Sequence, residues 1–186
     1  MDDGGRNKLR PVRRVVTGND SQGRSKVVWD SAAPNTKPSA GGGMVEVWAW
    51  EAAPLDLSID HDGGRLPFHA HAPEAGGYLR LVQSAGKPAD YDPARDPQHQ
   101  PLRETRTRPG GADRGGQNAF SSPVHQTETV DYGIVMEGER TLLLDSGELV
   151  MKKGDVVVQL GNWHGWTNPV AGSLMAFIMM GGKGDE

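Results

Sequence analysis

The sequence predicts an all-β protein, an antiparallel barrel. Three observations carry that expectation. Between Val130 and Leu160 the chain offers short apolar runs of strand length, VDYGIVM, RTLLLD, ELVMKK and GDVVVQL, rich in Val, Leu and Ile. Turn chemistry separates them: Asp145-Ser146-Gly147 suits a tight antiparallel hairpin. No long amphipathic helix pattern and no internal repeat competes with this reading. His125 opens the stretch and His164 closes it, and consecutive antiparallel strands bring such distant residues to the same inner wall of a barrel.

At 186 residues the chain is expected to form one domain, long enough to bury a core. Its hydrophobic fraction of 35% is low for a compact domain, which predicts that a sizeable share is loop. A net charge of −4 argues against nucleic acid as a partner, because that function needs a concentrated basic face. The chain holds no cysteine, so disulfides, thiolate catalysis and thiolate metal ligation are excluded. The opening MDDGGRNKLR lacks the apolar core of a secretory signal, and no apolar run approaches the ~20 residues of a membrane span. The expectation is a cytoplasmic protein with no membrane partner.

In order, residues 1–9 read as a frayed terminus and 10–182 as the domain. VRRVVTGND and SKVVWD, joined by Ser21 to Arg24, predict an opening hairpin that extends one sheet. Residues 31–43 hold Pro, Ser and Gly without periodicity and read as loop. MVEVWAWEA alternates, with Val45, Val47 and Ala49 on one face and Glu46, Trp48 and Trp50 on the other; the tryptophans are assigned to packing, under the loops or at a subunit interface. YLRLVQSA is a further strand. Residues 86–122 read as a long loop without regular structure: disordered, crossing a partner subunit, or a lid over the barrel mouth. SLMAFIMM predicts a strand buried on both faces, in the inner sheet or at a dimer contact, and GGKGDE a frayed end. This apolar strand and the Trp48/Trp50 face predict a homodimer.

Over residues 123–180 the chain resembles the cupin superfamily, whose first motif is G-x5-H-x-H-x3,4-E-x6-G and whose second is G-x5-P-x-G-x2-H-x3-N. Anchored on Gly138, the first motif puts His125 at the first His, Thr127 at the second and Asp131 at the Glu. Anchored on Gly154, with one residue deleted, the second puts Leu160 at the Pro and then Gly161, His164 and Asn168 in register. The opening from Arg13 to Asp20 is similar to that of a subgroup of small one-domain cupins. The resemblance implies a jelly-roll barrel with an amino-terminal strand extension and a site at the barrel mouth. His69-Ala70-His71-Ala72-Pro73-Glu74 has ligand-like spacing, but Gly76-Gly77 and a new strand follow too soon for the first motif, so it reads as a surface loop.

The resemblance also implies the site. His125 and His164 are the candidate acid/base residues, with Asp131 fixing a tautomer. Thr127, Thr129, Tyr132, Trp166 and Asn168 are candidate substrate contacts, and Arg80 and Arg14 candidate clamps for a carboxylate. Thr127 and Asp131 depart from the family's three-His-one-Glu metal set. The expected function is an enzyme moving protons on a small carbonyl- or carboxylate-bearing metabolite, as a lyase (decarboxylase or dehydratase), isomerase or cyclase. The alternatives are a non-catalytic ligand-binding or sensor cupin, and a non-haem metal-dependent dioxygenase. The cofactor is accordingly none, or a divalent Zn, Fe, Ni or Mn held by His125, Asp131 and His164.

Overall fold

The computed structural model describes residues 9–168 and 171–183. Residues 1–8 of the expected frayed terminus, Pro169 of the segment after Asn168, and residues 184–186 of GGKGDE lie outside the described residues. Strands dominate: β1 (Arg13–Asn19), β2 (Ser25–Ala32), β3 (Asn35–Ser39), β4 (Gly42–Trp50), β5 (Gly77–Ser84), β6 (Leu102–Arg108), β7 (Gly111–Gly115), β8 (His125–Thr127), β9 (Thr129–Glu137), β10 (Glu139–Leu144), β11 (Gly147–Lys152), β12 (Val156–Leu160), β13 (Gly165–Thr167) and β14 (Ser173–Gly181). The described helical residues form single 3-10 turns at Gly63–Arg65 and Pro93–Arg95, neither of which could cross a membrane.

One sheet has the order β12-β9-β14-β5-β4-β3. The other is built from two pieces, β11-β10-β13 and β6-β7-β8, which meet edge to edge where His125 of β8 bridges His164 just before β13. All pairings within the sheets are antiparallel. The sheets face one another, because Val135, Met175 and Phe177 from the first pack in one cluster with Leu142, Met151 and Trp166 from the second. This is the jelly-roll architecture; the amino-terminal hairpin β1-β2 forms as expected, but as a two-stranded sheet of its own and not as an extension of either large sheet.

Period-2 alternation explains what faces inward. Along β9 the buried positions are Thr129, Asp131, Gly133 and Val135, so polar residues and core residues share one face. β14 is buried from Ser173 to Phe177, its Met175 and Phe177 toward the inter-sheet core and its Leu174 and Ala176 in a second cluster. Leu9, Val12 and Ala33 of the amino-terminal region pack in that second cluster. Gln83 pins the region by exchanging two 2.8 Å hydrogen bonds with the Arg10 backbone. Trp48 packs on Trp29, with ring centroids 6.2 Å apart. Both features from which the sequence predicts a dimer are therefore packed within the chain.

Residues 86–122 are not a structureless loop. They contain β6 and β7, and β7 pairs with β8 so that Asp113 lies opposite His125. The strand β6, LRETRTR, is exposed at every position, so it has no apolar face for a sequence pattern to register. Its order comes from cross-strand charge: buried Asp113 accepts hydrogen bonds from Arg103 and Arg106.

Met175 is wholly buried at the centre of the inter-sheet core. Met175→Ala is expected to destabilise the fold by about 2–5 kcal/mol through lost transfer energy and a residual cavity. Urea denaturation checks this: the midpoint should fall with the slope unchanged, and a loss below ~1 kcal/mol would contradict the assigned core.

Candidate active site

The backbones of His125 and His164 exchange hydrogen bonds: His125 N donates to His164 O at 2.8 Å and His164 N to His125 O at 2.9 Å. Residues opposed in an antiparallel hydrogen-bonded pair project their side chains to the same face. The imidazole centroids accordingly lie 4.4 Å apart, and both rings line one cavity of about 240 Å³. Gly161, in the left-handed region at φ 63°, makes the turn that delivers His164 to this place.

Each ring is oriented by a carbonyl. His125 Nδ1 lies 2.8 Å from Pro123 O, and His164 Nδ1 lies 3.0 Å from Asn162 O. A carbonyl only accepts, so each Nδ1 carries the proton and each Nε2 is left as a bare acceptor. Asp131 was expected to fix a tautomer. It makes no hydrogen bond to either ring among the described residues, because the neighbouring carbonyls do this instead. Burial lowers the basicity of both rings. It brings the His125 pKa down to about 4, with His164 adding to the effect, and pushes that of His164 down against the opposing Asn162 hydrogen bond. Both imidazoles are neutral at pH 7.

A line of hydroxyls leads from the cavity to a carboxyl. Thr127 lines the cavity, its Oγ1 is 2.7 Å from Thr129 Oγ1, and Thr129 donates to Asp131 Oδ1 at 2.6 Å. With the Thr129 proton committed to Asp131, Thr127 donates to Thr129. Burial raises the pKa of Asp131, opposed by the Thr129 hydrogen bond and by His125.

The other expected contacts divide. Trp166 and Arg80 line the cavity. Arg80 is already neutralised: its Nε donates to buried Glu46 at 2.5 Å and its Nη2 to His69 O at 2.7 Å, and the guanidinium lies between Phe68 and Tyr78, 3.9 and 3.8 Å from their ring centroids. Arg14 is not among the cavity-lining residues, because its guanidinium is held by Asp62 in a buried pair. Tyr132, next to inward Asp131, falls on the opposite side of β9 and is absent from the lining; Thr129 stands behind Thr127; Asn168 lines an adjoining cavity of about 200 Å³.

Among the lining residues that the sequence left unassigned, His71 and Arg140 carry buried nitrogens without a partner. His71 belongs to the segment read as a surface loop; the chain bends at Ala70 and His71, so that His69 turns out to Glu51 at 2.9 Å while His71 lines the cavity. Both His71 ring nitrogens are buried without a partner, and burial lowers the ring's pKa. Arg140 also lines the cavity. Its signal was present in the alternation of β10, where Arg140 and Leu142 are the buried positions between less buried neighbours.

The neutral imidazole pair, each ring anchored through Nδ1, has the donor chemistry of a divalent-metal site. The third position does not fit: Thr127 and Asp131 are tied to Thr129, and no cluster of three or more His, Asp or Glu placed to hold a metal ion occurs among the described residues.

Fold and site together define a double-sheet β-barrel protein with a histidine-lined cavity between its sheets. The chain is 30% identical over 188 residues to the phomopsin biosynthesis cluster protein C' of Diaporthe leptostromiformis, covering 95% of this chain and 82% of that protein. It is 47% identical over 60 residues to a cupin-domain-containing oxidoreductase of Hypocrea virens, which is 32% of this chain and 31% of that one. Among solved structures it is similar to the Cnp3 cupin domain of Schizosaccharomyces pombe, with a TM-score of 0.44 and 10% identity over 90% of this chain and 86% of that chain. No family model matches the sequence. The chain belongs to the cupin superfamily.

The depressed histidines link the site to stability. An unfolded His titrates near ~6.5, so between that pH and the folded value of about 4 for His125 the unfolded chain binds more protons. The histidine contribution is complete above the upper limit and lost as pH falls through this window; Asp131, shifted upward, acts in the opposite sense. Thermal melts should show the wild type losing stability over this range more steeply than His125→Gln. Parallel curves would contradict the assignment.

Proposed function

We propose that the chain is a cupin enzyme catalysing proton transfer on a small carbonyl- or carboxylate-bearing molecule, as a lyase, isomerase or cyclase. The observation that carries this reading is the pair of neutral imidazoles on one cavity wall, each with Nδ1 committed and Nε2 bare. Nε2 of His164 takes a proton from the substrate. The hydroxyl line is oriented inward, Thr127 donating to Thr129 and Thr129 to Asp131, so the Thr127 oxygen presents an acceptor to a substrate hydroxyl, and the proton held on His164 returns to the substrate at a second atom. Burial lowers the pKa of His164 and keeps the base neutral between turnovers. Similarity to proteins named for a biosynthesis cluster and for oxidoreductase activity supports an enzyme of small-molecule metabolism.

A second reading, a metal-dependent oxidoreductase, is favoured by the same two free Nε2 atoms. One experiment separates them. The purified protein is incubated in D2O with a panel of small α-protic keto acids and aldehydes, and loss of the α-proton is followed by NMR, before and after chelation. Acid/base chemistry predicts exchange that survives chelation and falls by roughly 10²–10⁴-fold in His164→Ala. Stoichiometric bound metal whose removal abolishes exchange overturns this in favour of the second reading. A protein that binds panel members without exchanging them is a ligand-binding cupin.

A homodimer belongs to the same proposal. Its contact falls on β12, an edge strand whose Val156, Val158 and Leu160 are exposed. A monomer by light scattering at micromolar concentration rejects it.

A further inference from the structure

Arg140 stands apart from the other buried arginines. Arg14 is paired with Asp62 and Arg80 with Glu46, whereas Arg140, only 7% exposed, makes no salt bridge and no hydrogen bond among the described residues. Its Nε and Nη1 are buried without a partner. It lies over an aromatic face: the guanidinium carbon is 5.8 Å from the Trp166 ring centroid. Burying an unpaired guanidinium is strongly unfavourable, and such groups persist where something else supplies the counter-charge. Burial lowers the Arg140 pKa to about 10, so it is still a cation at neutral pH.

The position says what that something is. Arg140 lines both the histidine cavity and the adjoining one, which also share Met44, Val82, Ser122 and Pro123. Arg140 is thus common to both linings, and the apolar side chains of Met44, Val82, Phe177 and Met179 line the first. The geometry points to a built anion site: we propose that Arg140 binds the carboxylate of a small, apolar-bodied organic acid whose remainder lies against His125 and His164. This rests on the proposed function only in taking the histidine cavity as the substrate site. A monoanion is favoured over a phosphate dianion by charge balance. The histidines are neutral and Arg80 is already paired, which leaves Arg140 as the one buried cation of the described cavity without a partner; Arg108, at the rim, is exposed.

Calorimetric titration tests this with pyruvate, benzoate and hexanoate, each against its own uncharged amide, and with inorganic phosphate. At least one acid should bind the wild type tighter than its amide by about 10–100-fold, the range expected for a hydrogen-bonded charge. Arg140→Met should remove that gap, Arg140→Lys should narrow it, and Arg108→Met should leave it. Melting supplies a readout that a purely structural arginine would not give: without ligand, Arg140→Met should melt several degrees above the wild type, because an unpaired buried charge is gone. The proposal is overturned by acids binding no better than their amides, by a gap that survives Arg140→Met or follows Arg108→Met, or by phosphate binding more tightly than every acid. A ligand-free Arg140→Met that melts lower, or does not fold, also overturns it, since Arg140 would then be structural. Proton exchange lost in His164→Ala with acid binding intact leaves this site standing whichever chemistry the histidines perform.

Discussion

The reciprocal backbone pair of His125 and His164 is the contact on which the site depends. It is a single antiparallel bridge, yet it joins two three-stranded sheets into one and so completes the wall opposite β9 and β14. The same pair dictates chemistry, because opposed residues in a hydrogen-bonded register share a face. Displacing either strand by one residue would turn its imidazole out of the cavity. Wall and imidazole pair are one structural event.

Burial then sets the protonation states. Removing the imidazoles from water disfavours their charged forms, and placing them side by side adds to that effect at His125. The same desolvation acts on Asp131 in the opposite sense, raising its pKa against the Thr129 hydrogen bond. One environment thus shifts the two kinds of group in opposite directions, each toward its uncharged form. The arginines show the contrast between wall and site. Arg80 has Glu46, a carbonyl and two rings and is held as part of the wall, while Arg140 has only the cavity before it.

The two segments outside the family motifs are what make this barrel workable. The amino-terminal region covers the outer side of β14 and β5 through Leu9, Val12 and Ala33, so the central strand is dry on both faces. The segment from residue 86 to 122 supplies β7, which pairs along β8 and holds His125 in register from its other side. Without it β8, three residues long, would have only the single bridge to His164.

Much of this was legible in the sequence. The strand runs from β9 to β12, the hairpin turn at Ser146-Gly147, the doubly buried β14 and the inward His125, Thr127, Asp131 and His164 all follow from period-2 alternation and motif spacing, which are local properties. Arg140 falls on the same buried face of β10 as Leu142, a place that alternation marks even though a lone arginine reads as solvated surface. Three things only the tertiary structure decided. Arg14 and Arg80 look alike as strand arginines, but whether each meets a carboxylate depends on Asp62 and Glu46, 48 and 34 residues away. His69 and His71 are two residues apart and part company only because a bend turns one to Glu51 and the other into the cavity. The exposed strand β6 carries no apolar periodicity and exists because Asp113 gathers its arginines. Periodicity reports which face of an element is buried; it carries no information about which distant group waits there, and charge pairing across the fold is decided by that group alone.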